Sequence, residues 1–256
     1  MKHHDGTPPP ADGPATVHAA FGDDRRSDRA DDPSGAAPTT TGDPLKSLEV
    51  EPESAATIFG DRIELGRRFT RDLALHGELL GLIGPLELPR LWTRHVLNSA
   101  VLAPLILPGA RVGDIGSGAG LPGLVLAIAR PDAHFVLIEP MERRCEWLHA
   151  EADRLGLDNV TVLRARAEDA FSVAPLDQVT ARAVSALRTL IPLAAPLVRR
   201  GGELIVLKGA RVQDEVEAAR KQIAKYRLSA IEVVELGRGL VPEATRVFRA
   251  TVDAAS

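Results

Sequence analysis

Val112-Gly113-Asp114-Ile115-Gly116-Ser117-Gly118-Ala119-Gly120-Leu121-Pro122-Gly123 reads as a short buried strand that runs into a glycine-rich turn and then into a helix. Glycines in such a turn take positive φ and let the backbone approach a ligand, while the helix start offers unpaired N–H groups. Downstream, short β-rich runs alternate with helical stretches, the pattern of parallel strands joined by crossover helices. Strands are predicted near Arg111–Ile115, Phe135–Glu139, Val160–Leu163, Gln178–Ala181 and Leu204–Lys208. A helix is predicted over Met141–Leu155, with Met141, Cys145, Leu148, Ala152 and Leu155 on one face and Gly156 as its C-terminal cap. The last two runs, Ile231–Leu236 and Thr245–Val252, are linked by a Gly/Pro loop too short for a crossover helix, so they are expected to pair antiparallel.

Upstream of Pro108-Gly109, apolar residues at helical spacing (Phe59, Ile63, Phe69, Leu73, Leu80) predict one helix up to Gly84-Pro85, and a second covers Leu91 to Ile106. Each has one apolar face and nothing of its own to bury it against. Residues 1–44 carry seven prolines among Gly, Asp, Ala and Thr with almost no large apolar side chain, which predicts a disordered tail. His3-His4 there has no further ligands and is read as tail rather than metal site. The organisation expected is a tail over 1–44, a helical extension over 45–108 packed on the main domain, and an α/β domain over 109–256.

The net charge is −4, but residues 1–43 hold 8 of the 35 acidic and only 4 of the 31 basic residues. The remainder is balanced, and an anionic partner for the folded part stays open. A single Cys145 excludes an internal disulfide. With no secretion-type opening stretch, a cytoplasmic location is the expectation. The apolar run Leu124 to Ala129 is cut by Arg130-Pro131, well short of the roughly 18–20 residues a spanning helix needs.

Gly118-Ala119-Gly120-Leu121-Pro122-Gly123 satisfies G-x-G-x-x-G, and Glu139 follows about 20 residues on at the end of the next strand, which is also the dinucleotide-binding pattern. Three features favour S-adenosylmethionine instead. Asp114 sits two residues before the first glycine, where a carboxylate suits an ammonium and would repel a pyrophosphate. Pro122 removes an N–H donor from the helix start. Glu168 lies just past the third strand, where a carboxylate or its backbone can meet an adenine amino group. Asp114 could equally cap a turn or helix, and Glu168 could be a solvated loop charge.

The same glycine run, preceded by Leu91-Trp92-Thr93-Arg94-His95-Val96-Leu97-Asn98-Ser99 and followed by Arg166-Ala167-Glu168, Thr180-Ala181-Arg182-Ala183 and Leu207-Lys208-Gly209, resembles the bacterial small-subunit (16S) ribosomal RNA guanine-N7 methyltransferases, first named glucose-inhibited division protein B. The likeness spans about Glu53 to Val252; Asn98 stands where many members carry Asp. It implies a class I S-adenosylmethionine-dependent methyltransferase fold, a Rossmann-like, mostly parallel sheet with an antiparallel last strand. It also implies cofactor contacts at Gly116, Leu121, Glu139, Ala167, Glu168 and Arg182, to which the reading of the loop adds Asp114 and Gly118. Glu139 suits two ribose hydroxyls as a bidentate acceptor. The implied partner is 16S ribosomal RNA or a small-subunit particle, with a monomeric enzyme and no metal.

Guanine N7 presents an in-plane lone pair and no proton, so no catalytic base is expected and positioning carries the reaction. That agrees with a chain lacking a Ser/His/Asp or Cys/His set; Cys145 is read as a core residue. RNA contacts are expected from Arg94, His95 and Lys208, within a basic face that also includes Arg67, Arg68, Arg71, Arg90, Arg211, Arg246 and Arg249. The readings left open by the residues themselves are a methyltransferase for small molecules or proteins, a nucleotide-dependent oxidoreductase, and a non-catalytic nucleotide-binding module.

Overall fold

The strand runs pair into a single seven-stranded sheet. In the computed structural model, which describes residues 43–84, 86–182 and 184–253, they are β1 (Arg111–Ile115), β2 (His134–Ile138), β3 (Val160–Leu163), β4 (Leu176–Arg182), β5 (Val198–Lys208), β6 (Leu228–Leu236) and β7 (Thr245–Val252). The sheet order is β3-β2-β1-β4-β5-β7-β6. β7 alone runs antiparallel, inserted between β5 and β6. This is the class I methyltransferase sheet, and it contains the antiparallel closing pair expected from the short final loop.

Alternate residues of the central strands feed two separate cores, one on each face. Phe135, Leu137, Ile205 and Leu207 belong to one; Val136, Ile138, Leu204 and Val206 belong to the other. Burial on both faces explains why these strands read as continuous apolar runs. The first core is completed by α1 (Ser54–Phe59), α2 (Ile63–His76), α3 (Asn98–Ala100), α4 (Gly123–Ala129) and α5 (Glu142–Leu155), the second by α6 (Leu187–Ala194), with α7 (Val212–Ala218) and α8 (Arg220–Lys225) beside it.

The helical region before β1 is more broken than its periodicity predicts. Gly60, at φ 52, ends α1, a 3-10 turn follows, and α2 stops at His76 rather than near Gly84. Leu91–Leu97 is π-helical, continues as α3, and gives way to a 3-10 turn at Ala103–Leu105 that contains Pro104. Apolar spacing survives such irregularities, so the sequence carries the buried face but not the breaks. α5 begins at Glu142, leaving Met141 exposed, and ends at Gly156 in the left-handed conformation (φ 64). The tail predicted over 1–44 lies outside the described residues except for Asp43 and Pro44. No helix among the described residues is long and apolar enough to cross a membrane.

Candidate functional site

Strand order reverses between β1 and β4, and in open α/β sheets ligands bind beyond the carboxyl ends of the strands at such a switch point. The glycine turn leaves β1 here, with Gly116 at φ 69, Gly118 at φ 54 and Gly120 at φ 90. Gly116 N donates to Ile138 O at 2.8 Å, and Trp147 Nε1 of α5 donates to Ala119 O at 3.1 Å. The loop is therefore pinned to β2 on one side and to α5 on the other. Beside it opens a cavity of about 330 Å³ whose wall includes Ile83, Glu87, His95, Gly116, Ser117, Gly118, Leu121, Arg144 and Arg182.

Glu139, buried just past β2, accepts Gly118 N on Oε2 at 3.0 Å and Met141 N on Oε1 at 3.0 Å. The carboxylate thus ties the glycine turn to the start of α5 and keeps its remaining lone pairs for other donors. Asp114 is wholly buried beneath the loop: Oδ2 accepts Gly123 N at 3.0 Å, while Oδ1 has no hydrogen-bond partner. Burial pushes its carboxyl up to about 7, against the lowering effect of its hydrogen bonds. The cap weighed against a ligand role is what one oxygen does; the other is left unsatisfied.

The start of α4 bears on the dinucleotide alternative. Pro122 has no N–H, Gly123 N is given to Asp114, and Leu124 N is given to Gly120 O at 2.9 Å. The first amides of the helix start are therefore not free for a pyrophosphate.

Arg182 ends β4 and reaches across to the π-helical segment. Its Nη2 lies 2.9 Å from Nδ1 of His95, whose Nε2 lies 2.6 Å from Glu87 Oε2. Arginine can only donate, so Nδ1 accepts, and Nε2 carries the proton that goes to Glu87. Burial lowers the His95 pKa, opposed by Glu87, and burial also lowers Arg182, to about 10. Hydrogen bonding from Arg90, with a further bond from His95, holds Glu87 near 2.

Asp114 and Glu139 are buried behind the glycine turn and are not on the cavity wall, and the remaining expected residues are distributed differently again. Ala167 is buried and Glu168 exposed at the start of the 3-10 segment after β3, and neither lines this cavity. Arg94 is open, its side chain 61% exposed, with Glu87 3.8 Å away. His95 and Lys208 are not the open cations the basic face requires. His95 is held between Glu87 and Arg182, and Lys208, 8% exposed, donates to Ser185 O and pairs with Glu215 at 2.8 Å. Arg67, Arg90, Arg246 and Arg249 each pair with a carboxylate. Arg71 and Arg211 are exposed and have no ion pair among the described residues. Sequence reasoning missed Glu87, Arg144, Trp147 and Glu215. Trp147 and Arg144 lie on α5 close behind Glu139, but only the fold turns them toward the loop. Cys145 is buried with Sγ 3.1 Å from Glu139 O, as a core residue.

A sequence profile of the family described as rRNA small subunit methyltransferase G matches residues 62–242. The chain belongs to that family. Among its relatives, ribosomal RNA small subunit methyltransferase G of Leifsonia xyli is 63% identical over 206 residues, covering 80% of this chain and 98% of that protein. The protein of the same name from Clavibacter sepedonicus is 61% identical over 206 residues, covering 80% of this chain and 97% of that protein. The more distant Thermobifida fusca relative, also of that name, is 48% identical over 206 residues, covering 80% and 87%. These alignments extend over nearly the whole of the first two relatives and leave about a fifth of this chain unmatched.

Proposed function

We propose that the protein transfers a methyl group from S-adenosylmethionine to N7 of a guanine in 16S ribosomal RNA, in line and without a general base. The observation that carries the cofactor reading is the buried, unpartnered Oδ1 of Asp114 beneath a glycine turn whose first helical amides, Gly123 N and Leu124 N, are already engaged within the protein. That combination suits a cationic ammonium and disfavours a dinucleotide. Family membership supports the RNA substrate.

When bound, the cofactor supplies an electrophilic methyl on a sulfonium. The chain's own residues do the rest by holding and orienting. Gly116 and Gly118 provide the close backbone approach, and Leu121 and Ala167 supply apolar contact. Asp114 accepts the ammonium, Glu139 accepts ribose hydroxyls, and Glu168 borders the adenine. Arg182, oriented by His95 and Glu87, stands where cofactor and base come together. Because N7 carries no proton, nothing in the cleft has to remove one, and the gain comes from orientation. Arg94 is the cation offered to RNA phosphate; His95 and Lys208 act from inside the site.

We take residues 1–44 as a tail, 45–108 as a helical extension and 109–256 as the methyl-transfer domain of a cytoplasmic monomer acting on small-subunit RNA. The test is to incubate small ribosomal particles with labelled cofactor and identify the modified nucleoside. 7-Methylguanosine in 16S RNA is expected, and a different methylated nucleoside would replace the substrate reading.

A further inference from the structure

Arg182 stands on the boundary of two cavities. One is the cleft beside the glycine turn; the other, of about 420 Å³, is walled by Asn98, Ser185, Leu207, Lys208 and Glu215 among others. Among the described residues, Arg182 is the one common to both walls. Arg182 therefore faces a group in either cavity, as a residue between two reacting molecules would.

Resting on the methyl-transfer reading above, we propose that this second cavity receives the target guanine and that the Lys208–Glu215 pair reads its O6 and N1–H. Lys208 Nζ spends one hydrogen on Ser185 O and another on Glu215 Oε2, which leaves a third. Glu215 Oε2 takes Lys208 at 2.8 Å and Leu187 N at 2.9 Å, while Oε1 has no partner among the described residues. A spare donor and a spare acceptor are thus fixed side by side, Lys208 by the end of β5 and Glu215 by the start of α6. Ser185 Oγ, also on the wall, is buried without a hydrogen-bond partner.

Around a guanine edge, N7, O6 and N1–H follow in order: acceptor, acceptor, donor. O6 beside N1–H complements a donor beside an acceptor. Adenine presents the reverse, an amino group followed by a bare N1, which would set hydrogen against hydrogen at Lys208 and lone pair against carboxylate at Glu215. With O6 at Lys208, N7 is the next atom toward Arg182 and the cleft. The pair selects the base and by the same contact aims the atom to be methylated. A site whose buried polar groups are left unpaired by the wrong base rejects it strongly.

The full-length protein is assayed on small ribosomal particles with labelled S-adenosylmethionine, comparing wild type with Glu215→Gln, which keeps the shape and an acceptor for Leu187 N. The expected result is a loss in kcat/KM for particles of about tenfold or more, from losing a charge-assisted hydrogen bond, with cofactor affinity unchanged and a cooperative melting transition above the assay temperature showing that the variant is folded. A second arm needs no variant. Particles carrying inosine at the methylated position keep O6, N1–H and N7 and should be methylated like guanine; 2-aminopurine keeps N7 but lacks O6 and N1–H and should be refused. Equal methylation of 2-aminopurine and guanine by the wild type, or an unchanged rate in folded Glu215→Gln, overturns the assignment. If wild type forms no 7-methylguanosine at all, the underlying reaction is wrong, an outcome distinct from a failure of base reading.

Discussion

Nδ1 of His95 accepts a hydrogen bond from Nη2 of Arg182 at 2.9 Å, so a histidine that the sequence places among RNA-binding cations is a neutral imidazole inside the site. Its other nitrogen, 2.6 Å from Glu87, fixes the tautomer. A phosphate contact and a positioning role make opposite predictions for this residue. His95→Ala removes the acceptor of Arg182 Nη2 and leaves the guanidinium only the longer bond from Nη1 to Arg94 O at 3.4 Å; a lost hydrogen bond to a charged group costs about 1.5–3 kcal/mol, or roughly 10–100-fold in kcat/KM. The slope of RNA binding against salt should stay as in wild type. Glu87→Gln should reproduce part of the loss. The pH dependence follows from the lowered His95 pKa: its stabilising contribution is full above the ordinary value of 6.5 and is lost as pH falls from there through the folded value. Activity should fall over the same window, since a protonated Nδ1 cannot accept from Arg182. Wild-type activity of His95→Ala would remove the residue from the site.

Arg94 is the contrasting case. It lies one residue earlier, but its side chain is mostly exposed and its nearest carboxylate is 3.8 Å away. If it neutralises one phosphate, Arg94→Ala should flatten the log–log salt dependence of particle binding by about 0.7–0.9, with cofactor affinity unaltered. Binding titrations over a range of salt measure this, and an unchanged slope would assign Arg94 to ordinary surface charge.

The difference between these neighbours shows where sequence reading stops. The glycine turn, β1, β3 and β7 are legible because their signals are local: backbone conformation at glycines, period-two burial and short loops. Arg94 and His95 both read as basic residues of one motif, and only the long-range approach of Arg182, 87 residues on, separates an open cation from an enclosed imidazole. Lys208 and Glu215 are alike in this. A basic residue at a strand end and an acidic one in a helix each look like surface until the fold places them 2.8 Å apart. Asp114 was legible as a special position, but that one oxygen caps α4 while the other goes unpaired depends on the three-dimensional turn.

Glu151 gives a prediction about stability alone. It sits on the buried face of α5 with no exposed surface, and Arg154 approaches Oε2 to 2.9 Å without the alignment of a hydrogen bond. Burial first, then the charge of Asp72, raises its pKa to about 7. A carboxyl raised in the folded state binds its proton more readily there, so stability should increase as pH falls from about 7 toward the ordinary value of 4.5. Glu151→Gln should weaken that trend, leaving the share that the raised carboxyl of Asp114 contributes in the same direction, and raise the melting temperature at pH 8. At roughly 2–4 °C per kcal/mol for a domain of this size, the rise amounts to several degrees. Melting curves at pH 5 and pH 8 test it; a variant less stable than wild type at pH 8 would show that Glu151 is favourably paired.

The unsatisfied oxygen of Asp114 makes cofactor binding a proton-linked event. With a pKa pushed up to about 7, the free protein holds a proton on this carboxyl in a large fraction of molecules near neutrality. A ligand ammonium brought beside Oδ1 favours the charged form, so association should expel that proton, most fully below pH 7. Calorimetric titration with S-adenosylmethionine or its demethylated product at pH 6.5, in buffers of different ionisation enthalpy, counts the protons released. The wild type should release a substantial fraction of one proton. Asp114→Asn keeps an acceptor for Gly123 N, so the start of α4 should survive, but it has no proton to give and no charge to offer. It should bind the cofactor at least about tenfold more weakly, the loss of a charge-assisted hydrogen bond. At pH 6.5 the ligand's own amino group, with an ordinary pKa of about 7.7–8.0, is already protonated in most molecules and adds little to either count. Equal proton counts in the two proteins would leave Asp114 as a helix cap alone.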